Sequence, residues 1–236
     1  MRALARAPGN RAASVLTSRR RTVLYAVVLV GTLAAVFLAV GTSTGPTGLE
    51  TRVGWVGRVD QTVLRTSDVI RTGILTGIAR VLDVAGGGIV TIPLRALVAI
   101  VLFVRRRWPA VWAWILTWAL AEAAVRGAKV FFARPRPPLP LVSTTGFSFP
   151  SGHAVATAAI AMALVLVLIP PGRTRRKWEI LAIVFTFVMA LSRVYLRAHW
   201  LSDVEAGVLL GATAALAAAS VVTEIRDLYR KRRRLA

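Results

Sequence analysis

Six long apolar stretches limit most strongly what this chain can fold into. They lie at residues 22–41, 85–104, 108–126, 154–169, 178–196 and 201–222, and they carry few charges. A helix needs about 20 apolar residues to cross the roughly 30 Å hydrocarbon core of a bilayer. Backbone groups in lipid must be hydrogen-bonded within their own segment, so we predict helices. The expected fold is therefore all-α, a polytopic membrane bundle of six transmembrane helices.

The composition supports a membrane protein and argues against a nucleic-acid partner. Hydrophobic residues make up 56% of the 236 residues, above the roughly 45–50% of a soluble domain. A net charge of +21 would suggest nucleic-acid binding in a soluble protein. Here the basic residues flank the apolar stretches, so we expect them to contact anionic lipid headgroups. The chain has no cysteine, which excludes disulfides and thiolate metal sites.

The basic groups also predict how the chain is oriented. Most of the 31 Lys and Arg lie in the tails 1–21 and 223–236 and in the connections 105–107 and 173–177. Because Lys and Arg favour the cytoplasmic side, six crossings with both termini inside place all four groups correctly. The first stretch exceeds the about 7–15 apolar residues of a cleaved signal peptide, so we expect it to stay as a span. We predict one domain, residues 1–236, in the plasma membrane; the preference for Arg over Lys indicates a bacterial source.

Residues 42–84 form a long segment on the predicted outer side. Their apolar residues recur at nearly helical spacing, while the charged residues fall mostly elsewhere around the helix. This pattern predicts one or two amphipathic helices. Two placements stay open, namely helices lying on the membrane surface and a lid packed over the bundle.

Two short outer segments hold both histidines of the chain and a cluster of basic residues. Lys129, Arg134 and Arg136 occupy a predicted outer loop, and Arg193 lies near the outer end of the fifth span. Contact with lipid headgroups would explain them. They also suit an anion site, because guanidinium groups give two-pronged hydrogen bonds to phosphate and lysine adds a point charge.

The sequence PSGH, residues 150–153, precedes the fourth span. Ser151 is a good N-cap, and Gly152 lets the backbone approach a ligand closely. A helix start offers free N–H groups to an anion. The alternative is that Ser151 and Gly152 only cap the helix and that His153 is an interfacial residue.

His199 and Asp203 are four residues apart at the start of the last span, so they share one helix face. A carboxylate that accepts from one imidazole nitrogen leaves the lone pair of the other free to act as a nucleophile or base. The alternative is an ion pair without function. A metal site of both histidines and Asp203 is chemically conceivable, but the surrounding cations oppose it.

Three blocks in order give the chain a family resemblance. They are K-x6-RP (Lys129 to Pro137), PSGH (Pro150 to His153) and SR-x5-H-x3-D (Ser192 to Asp203). Together they resemble the type 2 phosphatidic acid phosphatase family, whose superfamily includes vanadium haloperoxidases. The resemblance implies no metal or cofactor. It also implies roles for individual residues: His199 as the nucleophile, Asp203 as its partner, His153 as the general acid and base, and a phosphate cradle of Lys129, Arg136, Ser151, Gly152 and Arg193.

The expected function is hydrolysis of a lipid phosphate or diphosphate at the extracytoplasmic face. We favour undecaprenyl or another polyprenyl diphosphate, followed by phosphatidylglycerophosphate or phosphatidic acid; this ranking rests on the family analogy and the outward site. Arg134 could be an additional phosphate contact that suits a diphosphate. Other hypotheses are a lipid phosphotransferase and a non-catalytic lipid-binding or transport protein. Haloperoxidase activity is not expected, since those enzymes are soluble. The sequence indicates no oligomeric state.

Overall fold

The computed structural model describes residues 30–41 and 54–235, and all regular structure within them is α-helical. The predicted all-α fold is therefore confirmed for the described residues. The helices are α1 (Val30–Gly41), α2 (Trp55–Val69), α3 (Gly73–Gly86), α4 (Gly88–Val104), α5 (Trp108–Phe132), α6 (Gly152–Leu168), α7 (Arg173–Tyr195) and α8 (Leu201–Leu235). The tail 1–21, the start of the first predicted span and residues 42–53 lie outside the described residues.

Among the described residues, three helices are long and apolar enough to cross a membrane: α5, α7 and the part of α8 from Leu201 to Tyr229. Helices α3 and α4 are separated by a short break and bent by 44° relative to each other. If this pair counts as one span, it gives a fourth crossing. The apolar helices α1 and α6 are shorter than the other candidates. Length and composition thus support three or four of the six predicted crossings.

Helix α6 lies at the centre of the bundle and packs against α5, α7 and α8. Its closest approach is to α8, where Gly207 faces the start of α6. A Cβ added at Gly207 would lie 2.8 Å from the carbonyl oxygen of Ser151 and 2.9 Å from the Cβ of Ala154. Small residues allow such close helix packing in membrane proteins. The contact fixes the start of α6 against the start of α8.

Helices α2 and α3 pack on the bundle at the end where α6 and α8 begin. Arg197 donates to both carboxylate oxygens of Asp68, at 3.0 and 2.6 Å. The amide of Thr72 donates to the hydroxyl of Tyr195 at 3.1 Å. These contacts agree with the lid alternative for the outer segment.

Several helices extend beyond the apolar stretches that predicted them. Helix α5 runs to Phe132, so the expectation that Lys129 lies in a loop is wrong, and this residue lies in the last turn of a helix. Helix α7 begins at Arg173, and α8 continues to Leu235 through the basic tail. Hydropathy marks only the apolar part of a helix, whereas Lys and Arg are themselves good helix formers.

Two charges inside predicted spans find separate partners. The guanidinium carbon of Arg95 lies 3.4 Å from the ring centroid of Trp118, a cation–π contact. Glu122 instead pairs with Arg126 at 3.1 Å. Neither charge lies among the predicted site residues.

Candidate active site

The three sequence blocks meet at one end of the bundle. The amide of Ser151 donates to the carbonyl of Asp203 at 3.0 Å, which joins the start of α6 to the start of α8. The amide of Ser148 donates to the carbonyl of Arg134 at 2.8 Å, which joins the loop after α5 to the residues before α6. Both histidines therefore lie at the same end of the bundle, as the sequence predicted.

His199 lies in the turn between α7 and α8, with only 3% of its surface exposed. Its Nδ1 is 3.5 Å from Oδ2 of Asp203, and its Nε2 is 3.2 Å from Nη1 of Arg136. A guanidinium can only donate hydrogen bonds. The contact with Arg136 therefore favours the tautomer with its proton on Nδ1, towards Asp203, and its lone pair on Nε2.

Burial lowers the pKa of His199 to about 4. Asp203 opposes this shift, while the charges of Arg136 and Arg193 add to it. The imidazole is consequently neutral at pH 7. A neutral imidazole with its lone pair on Nε2 is the form that a histidine nucleophile requires. Here this lone pair faces Arg136, so attack on phosphorus requires that contact to open.

Asp203 is fully buried in the first turn of α8. Its Oδ2 accepts from the backbone amide of Trp200 at 2.9 Å, and its Oδ1 accepts from Nη1 of Arg134 at 2.5 Å. The carboxylate is thus anchored through both oxygens while Oδ2 faces His199.

Lys129 and Arg136 converge on the loop that precedes α6. The ammonium of Lys129 donates to the carbonyl of Phe147 at 2.5 Å, and Nη2 of Arg136 reaches the same oxygen at 3.3 Å. Arg136 also donates to the carbonyls of Thr145 and Ala198, each at 2.8 Å. Backbone carbonyls therefore hold both cations at this loop, and Arg136 lies beside His199.

The start of α6 has the geometry that the PSGH motif predicted. Ser151 is the N-cap, and its hydroxyl accepts from the amide of Ala154 at 3.5 Å. A Cβ added at Gly152 would meet no described atom within 4 Å, so there is open space in front of the helix start. The Ser151 amide is already bonded to Asp203, which leaves the next amides of the first turn to meet an anion.

His153 and Arg193 share a partner that sequence reasoning missed, Asp83 near the end of α3. The Nε2 atom of His153 lies 3.0 Å from the backbone oxygen of Asp83 and 3.2 Å from its Oδ1. The same Oδ1 accepts from Nη1 of Arg193, whose backbone carbonyl accepts from the amide of His199 at 3.3 Å. One chain of contacts thus links the two histidines.

Arg134 lies behind the site rather than in the cradle. It is 2% exposed, and its terminal nitrogens contact Asp60 at 2.6 Å and Asp203 at 2.5 Å. A buried guanidinium held between two carboxylates has no face open to a phosphate. The placement of Arg134 therefore disagrees with the expected role as an additional phosphate contact.

The outer helices supply a pattern that could have revealed Asp60 and Asp83, neither of which the sequence analysis had placed at the site. Their three aspartates each pair with an arginine of the site segments: Asp60 with Arg134, Asp68 with Arg197 and Asp83 with Arg193. Acidic residues are scarce in this basic chain, with 10 Asp and Glu against 31 Lys and Arg. An aspartate in an outer segment was therefore a signal worth following.

The arrangement can bind and attack an anionic centre. Three cations, a helix start and a neutral imidazole lie together, and a second imidazole stands beside a carboxylate. Such groups suit phosphoryl transfer, which relies on positioning and charge stabilisation. Within the described residues, no three His, Asp, Glu or Cys side chains cluster so as to hold a metal ion.

Sequence comparison decides the family. Residues 110–227 match the PAP2 superfamily. The chain belongs to that superfamily. The type 2 phosphatidic acid phosphatase resemblance is thereby confirmed, and the matched region contains all three sequence blocks.

Two solved structures resemble this one. A transmembrane phosphatidylglycerolphosphate phosphatase from Bacillus subtilis has a TM-score of 0.70 and 25% sequence identity, over 82% of this chain and 96% of that one. Aquifex aeolicus LpxE has a TM-score of 0.57 and 25% identity, over 68% of this chain and 94% of that one. No curated protein matches the chain in sequence.

Proposed function

We propose that this PAP2 protein is a membrane lipid phosphatase that hydrolyses the phosphate monoester of a lipid through a phosphohistidine at His199. The observation that carries the proposal is the environment of this imidazole. Its Nε2 faces Arg136 and its Nδ1 faces Asp203, so a nucleophilic lone pair points towards the phosphate-binding cations.

In the first step Lys129, Arg136, Arg193 and the start of α6 bind the phosphoryl oxygens. The Nε2 atom of His199 forms a bond to phosphorus, and the bond from phosphorus to the lipid oxygen breaks. His153 gives its proton to that leaving oxygen. Asp203 stabilises the positive charge that develops on the His199 imidazole.

In the second step His153, now neutral, takes a proton from water. The water oxygen attacks phosphorus, the N–P bond breaks, and His199 returns to its neutral form as phosphate leaves. The fixed cations supply the charge stabilisation that Mg²⁺ gives in many phosphoryl-transfer enzymes. We therefore propose a reaction that needs no metal.

A monoester is the substrate class we favour, for two reasons. Arg134 was the one residue expected to suit a second phosphate group, and it is buried between Asp60 and Asp203. The Bacillus subtilis structure of similar fold is a phosphatidylglycerolphosphate phosphatase, whose name describes a lipid phosphate monoester. A polyprenyl diphosphate is then the competing substrate in the test.

We also propose six crossings with the site at the outer face of a bacterial plasma membrane and both termini in the cytoplasm. Helix α4 is the second span, with α3 bent by 44° away from it on the outer side, and α1 and α6 complete the six. The chain has no cysteine, so single cysteines at Thr145 and Arg106 can be labelled by a membrane-impermeant maleimide in intact cells. Labelling at Thr145 alone supports this topology; labelling at Arg106 alone contradicts it.

The activity test measures phosphate release by the purified protein in detergent. The panel holds phosphatidylglycerophosphate, phosphatidic acid, and undecaprenyl phosphate and diphosphate, each with and without EDTA. We expect metal-independent release from at least one monoester, no release by His199→Asn, and a trapped phosphohistidine. Transfer of labelled phosphate to a lipid acceptor would indicate a phosphotransferase. No turnover of any member would refute the proposed function.

A further inference from the structure

An ion cluster behind the proposed nucleophile joins the outer helix α2 to the start of α8. Arg134 lies between Asp60, at 2.6 Å, and Asp203, at 2.5 Å. The side chains of Asp60 and Arg134 are 2% exposed and that of Asp203 is 0% exposed. Sequence motifs alone do not reveal this cluster, because Asp60 lies far from the three blocks that characterise the family.

Every polar atom of the Asp60 carboxylate is used. Its Oδ1 accepts from the backbone amide of Ser202 at 2.9 Å. Its Oδ2 accepts from the hydroxyl of Ser202 at 2.7 Å and from Nη2 of Arg134. Asp60 therefore fixes both the guanidinium that holds Asp203 and the residue that precedes Asp203.

The charge count of the cluster explains why a second carboxylate is present. The charges of Asp203 and Arg134 alone would sum to zero, and a pair without net charge would do little to stabilise a positive imidazole. With Asp60 the three residues carry one net negative charge in a buried place where charges interact strongly. Breaking a buried ion pair leaves an uncompensated charge, so each member depends on the others.

We propose that Asp60 is a positioning residue for the reaction. Together with Arg134 it orients the Asp203 carboxylate and keeps net negative charge behind His199. This inference rests on the proposed phosphatase function. Asp60 acts through Arg134 and Asp203, since its own carboxylate oxygens bond to Ser202 and Arg134 and not to the phosphate cradle.

The charged groups around His199 come from three elements. Asp203 belongs to α8, Arg193 to α7, and Arg134 and Arg136 to the loop after α5. On the other side of the cluster, the exposed Glu205 of α8 lies near Asp60. Replacing Asp60 alters the charge behind His199 and leaves Arg136 and Arg193 in place.

The test compares three variants in the full-length protein in detergent. Asp60→Asn changes the cluster charge from −1 to 0 with little change of shape. The double variant Asp60→Asn with Arg134→Gln returns the cluster charge to −1. Asp68→Asn is the matched control, because Asp68 lies on the same helix and pairs with Arg197 without touching the cluster. Thermal unfolding is recorded for each variant.

We expect Asp60→Asn to lower kcat by about 10- to 100-fold, by analogy with the loss seen when outer partners of metal-bound imidazoles are removed. KM should change by less than about twofold, because the lost interaction acts mainly on the transition state. Asp68→Asn should keep kcat within about threefold of the original. The kcat of the double variant should lie between those of Asp60→Asn and the original chain. The double variant regains the net negative charge but lacks the Arg134 side chain that holds Asp203.

Several results would overturn the inference. The first is an Asp60→Asn variant with the same kcat as Asp68→Asn. The second is a double variant whose kcat is no higher than that of Asp60→Asn. The third is a double variant whose kcat equals that of the original chain. If Asp60→Asn does not fold, the comparison of the double variant with the original chain still decides, since the double variant lacks the unpaired guanidinium.

A substrate-independent measurement separates this inference from the proposed function. The chain has only two histidines, so ¹⁵N-labelled histidine gives a simple NMR spectrum that a His153→Gln variant assigns. Asp60→Asn should move the Nδ1 proton of His199 upfield, because the ion cluster that Nδ1 faces through Asp203 at 3.5 Å loses its net negative charge, and Asp68→Asn should not. An unmoved resonance refutes the inference even if no lipid phosphate is turned over; a moved resonance supports it in that case too.

Discussion

One methyl group at the back of the site should impair both folding and activity. Gly207 of α8 faces the carbonyl of Ser151, immediately before the Gly152–His153 segment. In Gly207→Ala the new Cβ would lie 2.8 Å from that oxygen and 2.9 Å from the Cβ of Ala154. An ordinary contact begins at about 3.4 Å, and the blocking oxygen belongs to the backbone. Helices α6 and α8 must therefore separate by several tenths of an ångström.

The size of the effect follows from that separation. Overpacking of this kind costs about 1–3 kcal/mol of the free energy of unfolding. Since a displacement of about 1 Å at a reacting centre can cost roughly 100-fold in rate, we expect kcat to fall about tenfold. The displacement moves both His153 and the phosphate-binding start of α6 relative to His199, so KM should rise while kcat falls.

The assay pairs this variant with Gly127→Ala. Gly127 is also helical, and a Cβ there would meet no described atom within 4 Å. Exchanging Gly for Ala in a helix should on its own be neutral or stabilising, by about 0.5–1 kcal/mol. Thermal unfolding in detergent and steady-state turnover of a lipid phosphate are measured for both. Equal melting temperatures and equal kcat in the two variants would refute the packing argument.

Three further predictions concern the reaction itself. Because burial lowers the pKa of His199 to about 4, an NMR titration of the ¹⁵N-histidine protein should show His199 neutral from pH 7 down to about pH 5. A midpoint near 6.5, the ordinary histidine value, would contradict this environment. His153→Asn should slow the hydrolysis of lipid phosphates. The same variant should accumulate phosphohistidine from p-nitrophenyl phosphate, because that leaving group needs no general acid. Acid-quenched ³²P labelling measures the intermediate, and its absence would argue against separate roles for the two histidines. Asp83→Asn should lower kcat, since His153 loses its carboxylate partner, and should lower KM, since the charge of Arg193 is no longer neutralised by Asp83. A charge-assisted hydrogen bond contributes about 1.5–3 kcal/mol, so each change should be roughly tenfold. An increase in KM would show that Asp83 instead supports substrate binding.

The parts of the site that sequence could predict are those in which neighbours along the chain interact. The spacing of His199 and Asp203 correctly predicted that they lie near each other, but His199 lies in the turn before α8, so the expectation of one shared helix face is wrong. Ser151 caps α6 as its residue type suggests. The three sequence blocks could be placed at one end of the bundle, because the basic residues in every second connection predicted which connections lie on the same side of the membrane. Those inferences needed only local geometry and the length of a membrane-crossing helix.

The residues that sequence could not place are those whose partners lie far along the chain. Arg134 and Arg136 are two residues apart, and each is followed directly by a proline. This local pattern does not indicate which of the two arginines is buried. The structure separates them, since Arg134 meets Asp60 while Arg136 faces His199. Helix ends were also missed, because hydropathy falls before the helix stops.

The sequence by itself determined an all-helical chain of membrane-length apolar segments, with its ionisable groups collected in a few short connections. Helical periodicity, hydropathy and charge asymmetry are properties of the chain alone, so they can be read without coordinates. Tertiary structure decided which aspartate neutralises which arginine and how closely α6 and α8 approach. Those outcomes depend on packing between distant segments, because a buried charge is stable only where the fold brings it a partner.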